Sequence, residues 1–292
     1  MSTIQPFQAL HYNESKIDLS KILCPPYDVI DQSLSEKLSK KNKYNSIYIS
    51  YNLQHKEGKA KYSHVSKLIR KWKSGKILLK DSKPSFYFLQ EEFHWKGKIK
   101  TRSGVFALIP VLHNKKIVPH EKVFQDAVAD RLHLLQSTKT HVSPIYLIYE
   151  DKGKKFNRWL NKHGKNKALQ KAHYDNDQID YKFGTVSDEK SVEELQQILK
   201  DQFLLIADGH HRYETAKQFA KLRGKESYIL AYIAPSSKDL VFSYHDVLST
   251  VLGSKKVTTS QILKECKKGN LLPQKSTYFY PKVMTGFVFH EL

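Results

Sequence analysis

The sequence predicts a mixed α/β fold, and three observations lead to that prediction. Apolar runs of five to eight residues, the length of buried strands, recur along the chain. Between several of these runs the apolar residues lie three and four positions apart, which is the spacing of one helix face. The chain has 292 residues and 40% hydrophobic content, so it can bury a core for one domain or two closely packed halves.

In the first half of the chain the apolar pattern predicts two helices and three strands. The first helix is expected at 33–42, and the strands at 45–51, 85–93 and 104–112. The second helix is expected between Gly58 and Gly75, with lysines over most of its remaining surface. Its apolar face consists of Tyr62, Val65, Leu68, Ile69 and Trp72.

In the second half, strands and helices continue to alternate. Strands are expected at 143–150, 203–207 and 227–234, and helices at 192–201, after His211 and at 260–267, followed by a closing hairpin at 277–289. A turn at Asn114-Lys115 suggests a boundary between a basic N-terminal α/β region, 1–114, and a core, 115–292. One continuous domain over 1–292 is the alternative.

The most informative segment runs from Phe203 to Ala216. Its apolar start is typical of a buried strand, and Asp208-Gly209 is a turn signal. A helix should follow at once, because Tyr213, Ala216, Phe219 and Ala220 have helical spacing.

The start of that helix predicts an anion site. Its first N–H groups point unpaired into the loop that carries Asp208, His210, His211 and Arg212, and the helix dipole is positive there. Phosphate is the obvious ligand. The alternative is that Asp208 caps the helix and the histidines are surface groups. Neighbouring side chains on a helix diverge by about 100°, so one histidine should face the ligand while the other packs.

The residues of this segment resemble the signature of a known family. Ile206-Ala-Asp-Gly-His-His-Arg-Tyr-Glu-Thr-Ala216 is similar to the signature of the domain of unknown function 1015 family. Further segments agree in order along the chain, although the stretch between Thr215 and Lys275 is shorter than usual. These segments are Pro25-Pro-Tyr-Asp-Val29, His120-Glu121, Asp130-Arg131-Leu132 and Lys275-Ser-Thr-Tyr-Phe-Tyr-Pro-Lys282.

The Asp-Gly-His-His-Arg core also resembles the motif of the ParB/sulfiredoxin superfamily, whose members bind nucleotide phosphates at this turn and include kinases of free serine. The resemblance implies a ParB/sulfiredoxin-like core with a mixed sheet. It also implies a kinase that converts L-serine to O-phospho-L-serine with ATP or ADP and Mg²⁺. Sulfiredoxin chemistry is disfavoured, because Gly209 occupies the position before the histidine where that branch has a cysteine.

The resemblance also assigns roles to particular residues. Phosphate binding falls to the segment Asp208 to Arg212 together with Thr215, and Asp208 holds the metal directly or through water. His210, His211 and Arg212 would offset developing charge during the reaction.

Glu121 is the predicted catalytic base, because a kinase that acts on a small alcohol needs a group to take the hydroxyl proton. It follows a strand-like stretch, which favours display at a strand end. Related serine kinases use an upstream glutamate, so closeness to Asp208 is implied by the resemblance. A solvated loop glutamate is the alternative.

Acceptor binding is expected from His120, Asp130 and Arg131, since a guanidinium suits a carboxylate. Packing roles for these residues are the alternative. Lys275 and Ser276 belong to the family pattern and are weaker candidates for the same site. The stiff segment Pro25 to Asp28 could present Tyr27 and Asp28 to a pocket, although a structural turn is the simpler interpretation.

The charge of +20 raises a rival function. Residues 37–116 carry 20 Lys and Arg residues against four acidic residues, with aromatic residues interleaved. Such a surface could bind nucleic acid, so a non-catalytic or nucleolytic ParB-like protein is the alternative. We do not favour it, because the helix spacing places the aromatic residues in the core and no recognised binding module accompanies the charge.

The sequence predicts neither a membrane-spanning protein nor an exported one. The longest apolar stretch, Val105 to Leu112, is eight residues, well below the roughly 20 that cross a bilayer. The amino terminus lacks a basic segment leading into an apolar one, and two cysteines form no disulfide framework. We therefore expect a cytoplasmic protein without a membrane partner.

Overall fold

A computed structural model describes residues 4–51, 58–95, 97–163, 170–236, 264 and 283–292. The helices are α1 (Gln32–Lys41), α2 (Ile47–Ser50), α3 (Lys59–Ser74), α4 (Gln125–Thr138), α5 (Lys155–His163), α6 (Glu189–Leu199) and α7 (His210–Leu222). The strands are β1 (Leu10–Tyr12), β2 (Leu78–Lys80), β3 (Phe86–Trp95), β4 (Lys98–Pro110), β5 (Ile117–Val118), β6 (Thr140–His141), β7 (Ile145–Tyr149), β8 (Gln170–Tyr174), β9 (Ile179–Val186), β10 (Leu204–Asp208), β11 (Tyr228–Pro235) and β12 (His290–Glu291).

An eight-stranded mixed sheet forms the centre of the fold, in the order β5-β10-β7-β11-β4-β3-β9-β8. Two pairs, β5 with β10 and β7 with β11, are parallel, and the other pairs are antiparallel. The mixed α/β prediction is therefore confirmed, while the ParB/sulfiredoxin-like assignment stays a prediction. The sheet takes strands from both sides of residue 114, and the division into two regions also stays a prediction.

The central strands are buried on both faces, as their nearly continuous apolar sequences require. All five residues of β7 are buried, and so are Leu204 to Ala207 of β10. One face of the sheet packs against the N-terminal segment, α3 and the C-terminal residues 283–289, and the other against α5, α6 and α7. Packing on both faces fixes the position of the sheet, and with it the position of the carboxyl ends of β5 and β10.

The strand predicted at 45–51 is wrong, because this segment contains the short helix α2. Asn45 decides the local conformation. Its side-chain oxygen accepts the N–H of Ile47 at 3.0 Å, and its amide donates to the Lys21 carbonyl at 2.9 Å. A side chain that bonds to nearby backbone in this way competes with the sheet ladder. The alternating isoleucines that suggested a strand are buried on a tight helical turn instead.

The basic helix α3 buries its apolar face, as its spacing predicted. Tyr62, Val65, Ile69 and Trp72 are buried, whereas Lys67 and Lys71 are exposed. Four more aromatic residues of this half also pack against the core: Tyr44, Tyr48, Tyr51 and Trp95. These rings are therefore not a free stacking surface for nucleic-acid bases.

The remaining elements show where spacing alone was insufficient. The helices predicted at 33–42 and 192–201 and the strands at 85–93, 104–112, 143–150, 203–207 and 227–234 are confirmed within a few residues at most boundaries, whereas β4 begins six residues earlier. Helices α4 and α5 and strands β8 and β9 were not predicted. The hairpin at 277–289 and the helix at 260–267 lie largely outside the described residues. Among the described residues, no helix combines the length and the apolar character needed to cross a bilayer.

Candidate functional site

The turn between β10 and α7 is built around Gly209. Its φ is +95°, in the left-handed region that a residue with a side chain rarely adopts. A Cβ at this position would lie 2.9 Å from Cγ2 of Ile145 and 3.1 Å from Cζ of Arg212. Glycine therefore permits both the reversal and the close packing of the turn. The N-cap of α7 is Gly209 itself, so no side chain at that position caps the helix.

Arg212 closes the turn from the other side. Its Nη2 donates to Oδ2 of Asp208 at 2.6 Å, and its Nη1 donates to the Pro144 carbonyl. The side chain is buried, and burial by itself would lower the pKa of the guanidinium, but the charges of Asp208 and Asp28 raise it. A fixed positive charge thus lies at the positive end of the α7 dipole.

Parallel pairing brings Glu121 and His210 together. Ile117 and Val118 of β5 pair with Leu204 and Leu205 of β10, so both strands end at the same edge of the sheet. The two segments that follow carry His120-Glu121 and Gly209-His210. The carboxyl ends of parallel strands are where α/β sheets commonly bind ligands.

Two histidine rings lie against the carboxylate of Glu121. His120 Nε2 lies 3.2 Å from Oε1, and His210 Nδ1 lies 3.5 Å from Oε2. The two imidazole rings meet edge to face with centroids 4.3 Å apart. Both histidines are buried, whereas the Glu121 side chain is 20% exposed. The carboxylate is therefore positioned by its neighbours and still accessible to a small molecule.

The same three residues are the candidate metal ligands among the described parts of the chain, since one ligand atom from each lies within 4.8 Å of the others. The hydrogen bonds argue against that use. The His120 backbone N–H donates to Nε2 of His210 at 3.3 Å, which places the proton of a neutral His210 on Nδ1. Nδ1 would have to lose this proton to bind a metal. The network instead directs two imidazole groups towards the carboxylate.

His211 lies against Phe124, in keeping with the divergence of neighbouring side chains on a helix. Its Nε2 accepts the N–H of Phe124 at 3.1 Å, and its ring stacks on the Phe124 ring with an interplanar angle of 12°. The two histidines therefore fasten the same loop, residues 120–124, at two points. His210 is the one that faces the carboxylate.

Arg131 lies beside this turn, across a small cavity. Its guanidinium stacks 4.1 Å from the centroid of Tyr27 and donates to Asp130 and to the Ser50 carbonyl. Burial raises the pKa of Asp130, but Arg131 and Lys61 outweigh burial and lower it to about 2. The carboxylate therefore stays ionised and keeps Arg131 in place.

The cavity has a volume of about 40 Å³ and includes both guanidinium groups in its wall. A space of this size holds a few water-sized groups, on the order of a carboxylate. Its polar lining comes from Tyr27, Arg131, Thr140, His141, Ser143, Arg212 and Thr215.

Not every predicted residue has an obvious role in this arrangement. The Thr215 hydroxyl donates to the Val128 carbonyl at 3.2 Å, which ties α7 to α4, and its phosphate contact stays a prediction. Lys275 and Ser276 lie outside the described residues. Cys24 is fully buried, and burial raises the pKa of its thiol to about 12, so it does not suit redox chemistry.

Three residues at the site were underestimated from the sequence pattern. Tyr27 reaches the cavity wall, and the charge of Asp28 acts on both His211 and Arg212. The rigid Pro25-Pro26 pair was the available signal for both. Phe124 is 62% exposed, which no periodicity could indicate.

The buried state of His210 makes a pH dependence predictable. Burial, followed by the charge of His120, lowers the pKa of His210 to about 3 from an ordinary 6.5. Between these values the unfolded chain binds a proton that the folded chain does not, so the contribution of His210 to stability falls as the pH falls. At pH 5 the expected cost is about 2 kcal/mol.

Urea unfolding of the wild type and of His210→Gln at pH 7 and pH 5 measures this contribution. The glutamine oxygen can still accept the His120 N–H. We expect the variant to lose about 2 kcal/mol less than the wild type between the two pH values. Equal losses in both proteins would mean that His210 titrates normally in the folded state.

Comparisons with known proteins give a family and a weak structural likeness. The sequence model of the family described as "Protein of unknown function (DUF1015)" matches residues 4–286. A free serine kinase mutant solved in complex with ADP is 11% identical, with 63% of this chain and 92% of that chain covered and a TM-score of 0.21. None of the curated proteins matches the sequence.

Proposed function

We propose, from the premise that this chain belongs to the DUF1015 family, that it is a nucleotide-dependent kinase of a small hydroxyl compound. The donor is ATP or ADP, and free L-serine is the first acceptor to test. One observation carries the proposal: the carboxylate of Glu121 lies beside the start of α7, with its Oε2 3.5 Å from Nδ1 of His210.

The start of α7 is suited to phosphate. Its first N–H groups have no partners within the helix, and the dipole adds about 0.3 to 1 kcal/mol of attraction for an anion at an exposed site. The Arg212 guanidinium adds a full charge and is fixed by Asp208. A basic protein, with a formal charge of +20, also draws anions to the site from a distance.

The cavity between Arg131 and Arg212 is suited to the acceptor. Its volume of about 40 Å³ fits the carboxylate group of an amino acid better than a phosphate chain. An acceptor held there by its carboxylate would direct its hydroxyl group out of the cavity. We propose that this direction is towards Glu121.

In the proposed reaction, the acceptor hydroxyl oxygen attacks the terminal phosphorus of the nucleotide. The bond from that phosphorus to the bridging oxygen breaks, and the shortened nucleotide leaves. Glu121 takes the hydroxyl proton, and Arg212 offsets the charge that develops on the phosphoryl oxygens. The products are O-phosphoserine with ADP, or with AMP when ADP is the donor.

A magnesium ion fits the donor set of the site. Asp208 supplies a carboxylate oxygen, the type of ligand that Mg²⁺ prefers, and the nucleotide phosphates would supply further oxygens. When bound, the ion neutralises charge on the transferred phosphoryl group. Asp208, at the end of β10, is the proposed ligand, directly or through water.

Purified protein with Mg²⁺, L-serine and either ATP or ADP tests the proposal. We expect O-phosphoserine, identified by mass, with one nucleotide diphosphate or monophosphate formed per product. D-serine and L-alanine are matched controls, because the first alters the geometry and the second lacks the hydroxyl group. Absence of product with salt-sensitive binding of DNA or RNA would favour the rival ParB-like function instead.

A further inference from the structure

Phe124 is an exposed aromatic ring at the edge of the site that the proposed reaction does not use. It is 62% exposed, whereas most large apolar side chains of the described residues are buried. It comes directly before α4 and follows the loop that carries Glu121. Single exposed apolar residues are common, so exposure alone assigns nothing.

The position of the Phe124 ring, against the second residue of α7, indicates a binding role. His211, the second residue of α7, stacks against it with a centroid distance of 6.0 Å and an interplanar angle of 12°. The same imidazole accepts the Phe124 backbone N–H at 3.1 Å, which fixes the orientation of the loop. Contacts with His211 thus fix the aromatic ring beside the start of α7, whose N–H groups would bind phosphate.

We propose that Phe124, supported by His211, is the platform on which the purine base of the donor nucleotide stacks. This inference rests on the proposed function. The phosphates would lie at the start of α7, and the base would extend over the exposed ring. Stacking on an aromatic side chain tightens binding and tolerates different bases, since every base has a π face.

The platform predicts the class of donor. A ring offers no hydrogen bond to the edge of a base, so ATP and GTP should bind with similar affinity. The acceptor does not need this surface, because serine has no flat apolar group. Any other aromatic compound that stacks on Phe124 should compete with the nucleotide.

Calorimetric titration with ATP, GTP and inorganic tripolyphosphate tests the platform. Phe124→Ala should weaken ATP and GTP binding roughly tenfold or more and leave tripolyphosphate binding unchanged. Phe124→Trp should retain nucleotide binding. Leu222→Ala is the matched control, since Leu222 is 67% exposed at the far end of α7, and it should change nothing.

The outcomes separate this inference from the proposed function. If the wild type binds tripolyphosphate as tightly as ATP, or if Phe124→Ala binds ATP normally, the platform is wrong and the phosphate site stands. If the wild type binds neither ligand, the proposed function fails and the platform fails with it. Thermal unfolding of each variant checks folding, which an exposed substitution should leave intact.

Discussion

Glu121→Gln is expected to reduce the rate of phosphoryl transfer by about 10²- to 10⁴-fold, the range that a general base contributes. The amide keeps the size of the side chain but cannot take the hydroxyl proton. Nucleotide affinity should change little, because Arg212 and the start of α7 are untouched. Single-turnover rates and calorimetric titration with ATP measure the two effects separately.

Glu193→Gln is a matched control. It makes the same chemical change as Glu121→Gln, but at an exposed position on α6 away from the site. Its rate and nucleotide affinity should equal those of the wild type. A Glu121→Gln protein that keeps more than a tenth of the rate would show that another group is the base. A variant that loses nucleotide binding as well would indicate that Glu121 acts by holding His210.

Arg102→Met is expected to cost about 3–5 kcal/mol of unfolding free energy, because it leaves the Glu91 charge buried without its partner. Arg102 and Glu91 are at most 1% exposed and face each other across β3 and β4. Arg102 Nη2 donates to Glu91 at 2.7 Å, and the Tyr232 hydroxyl donates to the same carboxylate at 3.1 Å. Chemical denaturation at pH 7 measures the loss.

Two comparisons make this prediction specific to the buried charge. The double variant Glu91→Leu/Arg102→Met removes both charges and should recover much of the lost stability. Lys162→Met breaks an exposed pair with Glu194, whose side chains are 57% and 37% exposed, and should cost less than about 1 kcal/mol. If Arg102→Met were as mild as Lys162→Met, the ion pair would not be essential to the sheet.

Local sequence was sufficient for the strand, turn and helix at 203–222. The apolar run gave the strand, Asp208-Gly209 gave the turn, and the spacing after Tyr213 gave the helix. These signals act over a few residues, through backbone sterics and the periodicity of each element. The same reasoning failed at 45–51, where hydrogen bonds from Asn45 to the backbone outweighed an alternating pattern.

The composition of the site depended on long-range pairing. The apolar pattern predicted β10 and only a strand-like stretch before Glu121, and such a pattern does not specify which strands pair or in which direction. The parallel pairing of β5 and β10 places His120 and His210, 90 residues apart in sequence, in hydrogen-bond contact. The position of Arg131 beside Tyr27 likewise depends on how α4 packs.

The sequence by itself determined the mixed α/β class, the turn at Asp208-Gly209 and the inward face of α3, because each follows from the spacing of nearby residues. Only the tertiary structure decided that His210 faces Glu121 while His211 supports Phe124. The physical reason is that side-chain neighbours across a sheet edge are set by strand pairing and helix packing, which no local pattern encodes.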